Sequence, residues 1–139
     1  MYLGFLMLSQ SYIFDIKSNV DSRGILSSIE GLKDIPIEVK RVFYIHHINT
    51  DRGGHAHIDT DQVVIAIAGS FKIKLFDGAG EIEYLMNDCM KGLYIPRLIF
   101  TDLYGFSPDA VGLVLANTYY DMNKSLRTRN DYINYIEGI

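Results

Sequence analysis

Arg52-Gly53-Gly54-His55-Ala56-His57, with Gln62 five residues further on and the apolar run Val63-Val64-Ile65-Ala66-Ile67-Ala68 behind it, is the centre of a stretch from Tyr44 to Gly69 around which the chain is organised. Two imidazoles separated by one residue point the same way on a strand, because successive side chains alternate between faces. The two glycines before them permit a tight bend or a close approach of backbone to ligand. A polar pair followed at once by an apolar run reads as a site built into the wall of a β-barrel, with a small molecule bound over the strand.

Outward from this centre the chain is a series of short β-like runs divided by turn residues. Tyr12 to Ile16 leads into a loop by composition over Asn19–Gly24, and Ile25 to Glu30 makes a second run. Pro36 stops any helix begun at Ile29. Val39 to His47, dense in β-branched and aromatic residues, is expected to be a central strand. Gln62–Ala68 and Phe71–Phe76 flank Gly69-Ser70, where a hairpin or bulge is expected. In Phe71-Lys72-Ile73-Lys74-Leu75 the alternation places lysines in solvent and apolar side chains inside. Asp77–Gly80 is a turn; Glu81–Leu85, Gly92–Pro96, Leu98–Phe106 and Val111–Asn117 complete the strands. Only the end reads as helical, with Asn130 or Asp131 as its cap. Many strands at short spacing with one terminal helix indicate an all-β barrel or jelly roll.

The 139 residues suit a single domain with one core, since domains cluster at roughly 100 to 150 residues. A formal charge of −4 with scattered basic residues argues against nucleic acid as partner. A phosphorylated small molecule needs only one or two local arginines. The single cysteine, Cys89, forms no internal disulfide and suits a reducing cytoplasm. No stretch approaches the roughly 20 apolar residues of a membrane span. The apolar Met1–Leu8 lacks a basic region and a cleavage site, and reads as an edge or swapped strand.

The glycine, the His-x-His pair, Gln62 and Gly69, with Gly92 and Pro96 further on, resemble the two cupin motifs. Cupins of this type are double-sheet jelly rolls, often dimeric, with the ligand in the barrel mouth. Their metal is usually held by two histidines and a glutamate of the first motif and a histidine of the second. Here Gln62 stands for the glutamate, and Thr101 falls at about the place of the last histidine. A carboxamide and a hydroxyl are weak ligands, so no metal or other cofactor is expected.

A narrower resemblance rests on Asp21-Ser22-Arg23-Gly24, Lys40-Arg41-Val42-Phe43-Tyr44, Arg52 to His57, Gln62, Gly69-Ser70, Gly92-Leu93-Tyr94-Ile95 and Asn117–Asp121. In this order, from about Phe14 to Tyr135, they look like the dTDP-sugar 3,4-ketoisomerases, metal-free cupins acting on dTDP-4-keto-6-deoxyglucose. The resemblance implies an isomerase that moves the ketone from carbon 4 to carbon 3, feeding an aminotransferase that makes 3-amino sugars for surface polysaccharide. It implies His55 as the base at the sugar carbons. His57 would serve the oxygens or orient the substrate, and Tyr44 would lend a phenol. Arg41 and Arg52 are candidates for the diphosphate, Arg23 for a place beside the sugar, and Gln62 for an amide contact. Thr101 stands where relatives carry histidine or arginine, which leaves the product epimer open and makes Asp102, Tyr104 or Arg23 a candidate for the missing proton donor, unless the stereochemistry follows another rule here. His46 and His47, being adjacent, face opposite ways and read as structural; Arg97 reads as a solvated rim residue. A cytoplasmic homodimer is expected, with the first strands as candidates for exchange. A metal-dependent cupin enzyme and a non-catalytic dTDP-sugar binding module are the alternative functions.

Overall fold

The computed structural model describes residues 8–138. The expected first strand over residues 1–8 lies, apart from Leu8, outside the described residues. Period-two alternation sets the strands. In β7 (Phe71–Phe76), Phe71, Ile73 and Leu75 are fully buried while Lys72 and Lys74 point the other way.

The strands form two five-stranded antiparallel sheets. The first runs in the order β1 (Tyr12–Asp15), β9 (Lys91–Ile95), β6 (Gln62–Ala68), β11 (Val111–Ala116), β4 (Arg41–Ile45). The second runs β12 (Ser125–Leu126), β5 (Arg52–His57), β10 (Phe100–Tyr104), β7, β8 (Glu81–Met86). This is the expected cupin-type double-sheet jelly roll. A separate hairpin, β2 (Lys17–Asp21) with β3 (Gly24–Ser28), and a final helix α1 (Arg129–Glu137) complete it.

Three clusters hold the layers. Between the sheets, Val64, Leu93, Ile95 and Val114 meet Phe71, Ile73, Leu75 and Met86, each worth roughly 1.5–3 kcal/mol on burial of a large apolar side chain. On the outer face of the first sheet, Ile16, Ile35 and Ile37 cover Val63, Ile65 and Leu115. On the outer face of the second, Tyr132 and Ile136 of α1 pack on Ala56 and Phe100. The Tyr132 hydroxyl donates to the Leu98 carbonyl at 2.7 Å. Because Ala56 is pinned against the helix, His55 and His57 on either side of it face the interior.

Four local expectations differ from the structure. Asn19–Gly24 is not a plain loop: strand β2 runs to Asp21, and only Ser22 and Arg23 turn. Gly69-Ser70 is not a hairpin, because β6 and β7 lie in different sheets and the two residues carry the chain across. Gly69 has φ +64, and a Cβ there would stand 2.8 Å from the Ala110 Cα. The run Val39–His47 yields β4, which is the edge of its sheet rather than a centre. Phe43 and Ile45 face the interior, while Val42 and Tyr44 stay exposed on the outer face. The helix is capped by Thr128, whose Oγ1 accepts from the Asp131 N–H at 3.0 Å, because the cap must be the non-helical residue before the first turn.

Candidate active site

A cavity of about 410 Å³ opens between the sheets at the N-terminal end of β5. Phe43, Ile45, Gln62, Val64 and Val114 form its first-sheet wall; His55, Thr101 and Leu103 form the other. Asp51, Arg52 and Arg127 stand at its margin. The wall depends on a register shift in β10 between Thr101 and Asp102, opposite the glycine pair. Gly53 has φ +114, and a Cβ there would come within 2.7 Å of the Asp102 Cα and 2.8 Å of the Leu103 nitrogen. Only glycine lets β5 lie this close to the bulge, which turns Thr101 inward beside His55.

The rings of His55 and His57 have centroids 5.0 Å apart and stand at 80°. Burial pushes the His55 pKa down; Arg127 and Arg52 act in the same direction, while the Gly53 backbone and Asp102 oppose them. Burial, then the charges of His55 and Arg41, push His57 down to about 4. Both imidazoles are therefore neutral at physiological pH. His55 lines the cavity; His57 lies one pleat further along the same face, with its Nδ1 3.5 Å from the Ser125 hydroxyl.

Arg127 went unnoticed in the sequence. Ser125 pairs with His57 and Leu126 with Ala56, so the next residue comes level with His55. A two-residue strand leaves no periodicity to read. Arg52, Gln62 and Thr101 are at the cavity as expected. The Thr101 hydroxyl donates to the Ile99 carbonyl at 3.3 Å.

Four expected site residues are elsewhere in this chain. Tyr44 points out of the first sheet, 62% exposed, with its ring 5.3 Å from that of His46, because its neighbour Phe43 occupies the inward position. Arg23 sits at the β2–β3 turn with its side chain 88% exposed and paired to Asp21 at 2.7 Å, because the hairpin stands outside both sheets. Asp102 turns from the bulge into a shallower hollow, 3.8 Å from the Arg129 guanidinium. Arg41 shares the inward face of β4 with Phe43 and acts on His57 but does not line the cavity, its guanidinium standing 5.2 Å from the Phe43 ring centroid and 5.5 Å from that of Tyr120. Its buried Nε has no hydrogen-bond partner among the described residues. Arg97 is committed to Asp61 by its backbone N–H at 2.8 Å and its Nη2 at 3.0 Å. Asn117 Nδ2 joins the same carboxylate at 3.0 Å, tying down the residue just before Gln62.

As a metal site the donor set fits poorly. Two imidazoles, a carboxamide and a bonded hydroxyl offer no anionic ligand. Among the described residues no three His, Cys, Asp or Glu side chains are grouped to hold an ion.

The family profile described as FdtA: WxcM-like, C-terminal matches residues 9–137. The chain is 35% identical over 132 residues to the TDP-4-oxo-6-deoxy-alpha-D-glucose-3,4-oxoisomerase of Aneurinibacillus thermoaerophilus, covering 94% of this chain and 95% of that one. The chain belongs to the FdtA-like 3,4-ketoisomerases. Solved 3,4-ketoisomerases share its fold. QdtA of Thermoanaerobacterium thermosaccharolyticum in complex with TDP superposes with a TM-score of 0.89 at 36% identity, over 95% of this chain and 98% of that one. The 3,4-ketoisomerase of Helicobacter canadensis does so with 0.89 at 33% identity, over 92% and 98%. A histidine-to-asparagine mutant of QdtA has also been solved with TDP-4-keto-6-deoxyglucose bound.

Proposed function

We propose that this chain moves the ketone of dTDP-4-keto-6-deoxyglucose from carbon 4 to carbon 3 through an enediol. The observation that carries the reading is the neutral His55 imidazole on the cavity wall, with Arg52 and Arg127 at the margin. Such a shift needs a base for the carbon-3 proton, a route for a proton between the two oxygens, and charge that stabilises the enediolate. His55 takes the carbon proton. The two guanidiniums hold the diphosphate, whose oxygens match their fork geometry. Gln62 and Thr101 border the sugar, and His57 holds the second imidazole beside the first. Arg41, with its orphaned Nε, serves as a further anion contact beside Phe43 on the same face of β4. The shift is an internal redox exchange between adjacent carbons, so the reading calls on no added cofactor. Its product is the 3-ketone that an aminotransferase requires to make a 3-amino-3,6-dideoxyhexose for surface glycans.

The reading includes a cytoplasmic homodimer. Among the described residues no helix is long and apolar enough to cross a membrane. Val42, Tyr44 and Ile67 remain exposed on the outer face of the first sheet, and Val20, Ile25 and Leu26 on the β2–β3 hairpin. A second copy would bury this apolar area, with exchange of N-terminal strands as one means and Arg23 carried toward the partner. An NMR time course of the dTDP-4-keto sugar with purified, chelator-treated protein tests the function. Appearance of the 3-keto sugar is expected. Tight dTDP binding without conversion would leave a binding module, and activity dependent on added metal would leave a metal-dependent cupin.

A further inference from the structure

Arg127 reaches the cavity from a stretch that its own strand barely holds. Ser125 and Leu126 pair with His57 and Ala56, and the ladder ends there. A strand of two residues is shorter than the usual range of about 3–10 and fixes its successor little. Among the described residues the Arg127 guanidinium makes no hydrogen bond or ion pair of its own. Its place is therefore set by the backbone on either side, and on the far side that is the start of α1.

Arg129, the first residue of α1, is held on the outer face of the second sheet. Its guanidinium stands 4.3 Å from the Phe76 ring centroid and 5.8 Å from that of Phe100, and reaches Glu81 at 3.0 Å and Asp102 at 3.8 Å. One exposed ion pair alone is worth little. A planar guanidinium that stacks on a ring while meeting carboxylates from two strands is fixed in orientation as well as in place. Lys74 also meets the Glu81 carboxylate, at 4.0 Å, but it belongs to β7 and cannot tie the helix to the sheet. Asp102 directly follows Thr101 at the β10 register shift, so one bulge sends Thr101 into the cavity and Asp102 out to Arg129.

We propose that Arg129 is a positioning residue, which by clamping the start of α1 to Asp102 and Glu81 holds Arg127 at the cavity margin, aimed at the diphosphate. The clamp and the site wall share the β10 bulge, so the register that shapes the cavity also sets the reach of Arg127. This rests on the reading of Arg127 as a diphosphate contact given above and names what keeps that contact in place.

Calorimetric titration with dTDP tests it on the purified chain, on Arg129→Gln, on Arg127→Ala, on the double variant and on Tyr132→Phe, with melting temperature and turnover measured on the same samples. Glutamine keeps part of the stem over Phe76 and removes the charge. Tyr132→Phe loosens the same helix at another point, by removing the bond to the Leu98 carbonyl. Arg129→Gln is expected to weaken dTDP binding about threefold to tenfold and to raise KM in step, with kcat little changed. It should add no further loss to Arg127→Ala, and Tyr132→Phe should bind dTDP like wild type even where its melting temperature falls as far. Unchanged affinity in Arg129→Gln or in Arg127→Ala, additive losses in the double variant, or an equal loss in Tyr132→Phe would each overturn the inference while leaving the isomerase intact. Because the titration needs no turnover, a wild-type chain that binds dTDP without isomerising the keto sugar would remove the isomerase reading, and the binding pattern would still decide the role of Arg129.

Discussion

His55 and His57 stand perpendicular, 5.0 Å apart, on the one face of β5 that Ala56 leaves to the interior. Burial makes a positive charge costly on both rings, and His55 adds to that cost at His57, so the pair is kept unprotonated where the substrate is expected. The two rings are not equivalent, because only His55 lines the cavity.

Replacing His55 with asparagine keeps a polar side chain of similar reach but removes the base. Turnover is expected to fall by at least about 10²–10⁴-fold, the usual worth of a general base. The melting temperature and dTDP affinity should stay close to wild type. Steady-state assays with calorimetric dTDP titration check this, and unchanged turnover would remove His55 from its assigned role.

Acid should weaken the fold through these same rings. The folded value of His57, about 4, lies below the ordinary value of 6.5, so between the two the unfolded chain binds more protons. The stability involved is fully present above about pH 6.5 and is lost as pH falls toward 4, by at most about 1.4 kcal/mol per pH unit for one group. Urea titrations at several pH values should show this slope, and His57→Gln should flatten it.

Arg127 lies level with His55 and lines the cavity. If it clamps the diphosphate, Arg127→Ala loses a charge-assisted bond of about 1.5–3 kcal/mol, which raises KM by roughly tenfold to a hundredfold. Arg127→Lys should recover part of that loss. A KM unaffected by either substitution would place the diphosphate elsewhere.

Asp61 gathers Arg97 and Asn117 directly before Gln62. Asp61→Ala should cost about 1–3 kcal/mol in denaturant unfolding, since one carboxylate then leaves several donors without their acceptor. Arg97→Ala should cost less, because nearly half of the Arg97 side chain faces water and Asn117 still reaches the carboxylate. Equal losses would show that the arginine, not the amide, holds this corner.

A gain of side chain at Gly53 should also be costly. Gly53→Ala places a Cβ 2.7 Å from backbone at the β10 bulge in a left-handed conformation. Both stability and turnover should drop, the latter because Thr101 and His55 share that register. Preserved activity in Gly53→Ala would mean that the bulge can relax without disturbing the site.

Much of the molecule was legible in the linear chain because side-chain alternation is a local rule. The spacing of His55, His57 and Gln62, the alternating run at Phe71–Leu75 and the absence of a strong metal donor set all follow from residue type and parity. Parity alone does not say which of two neighbours faces in, and this is where Tyr44 was misplaced. The pairing of Tyr44 with Leu113 puts both on the outer face and leaves Phe43 to the cavity. Nor does local patterning show which strands share a sheet, so Gly69-Ser70 read as a hairpin or a bulge when it is a crossing between layers.

What residue order determined by itself was a two-layer β domain with a pair of imidazoles turned inward. Tertiary structure alone decided which charges meet them. Arg127 arrives through a two-residue strand, Asp102 leaves through a bulge, and Arg23 stays on a hairpin outside both sheets. Those outcomes depend on register between segments far apart in the chain, and register is set by the packing of whole sheets rather than by any short run of residues.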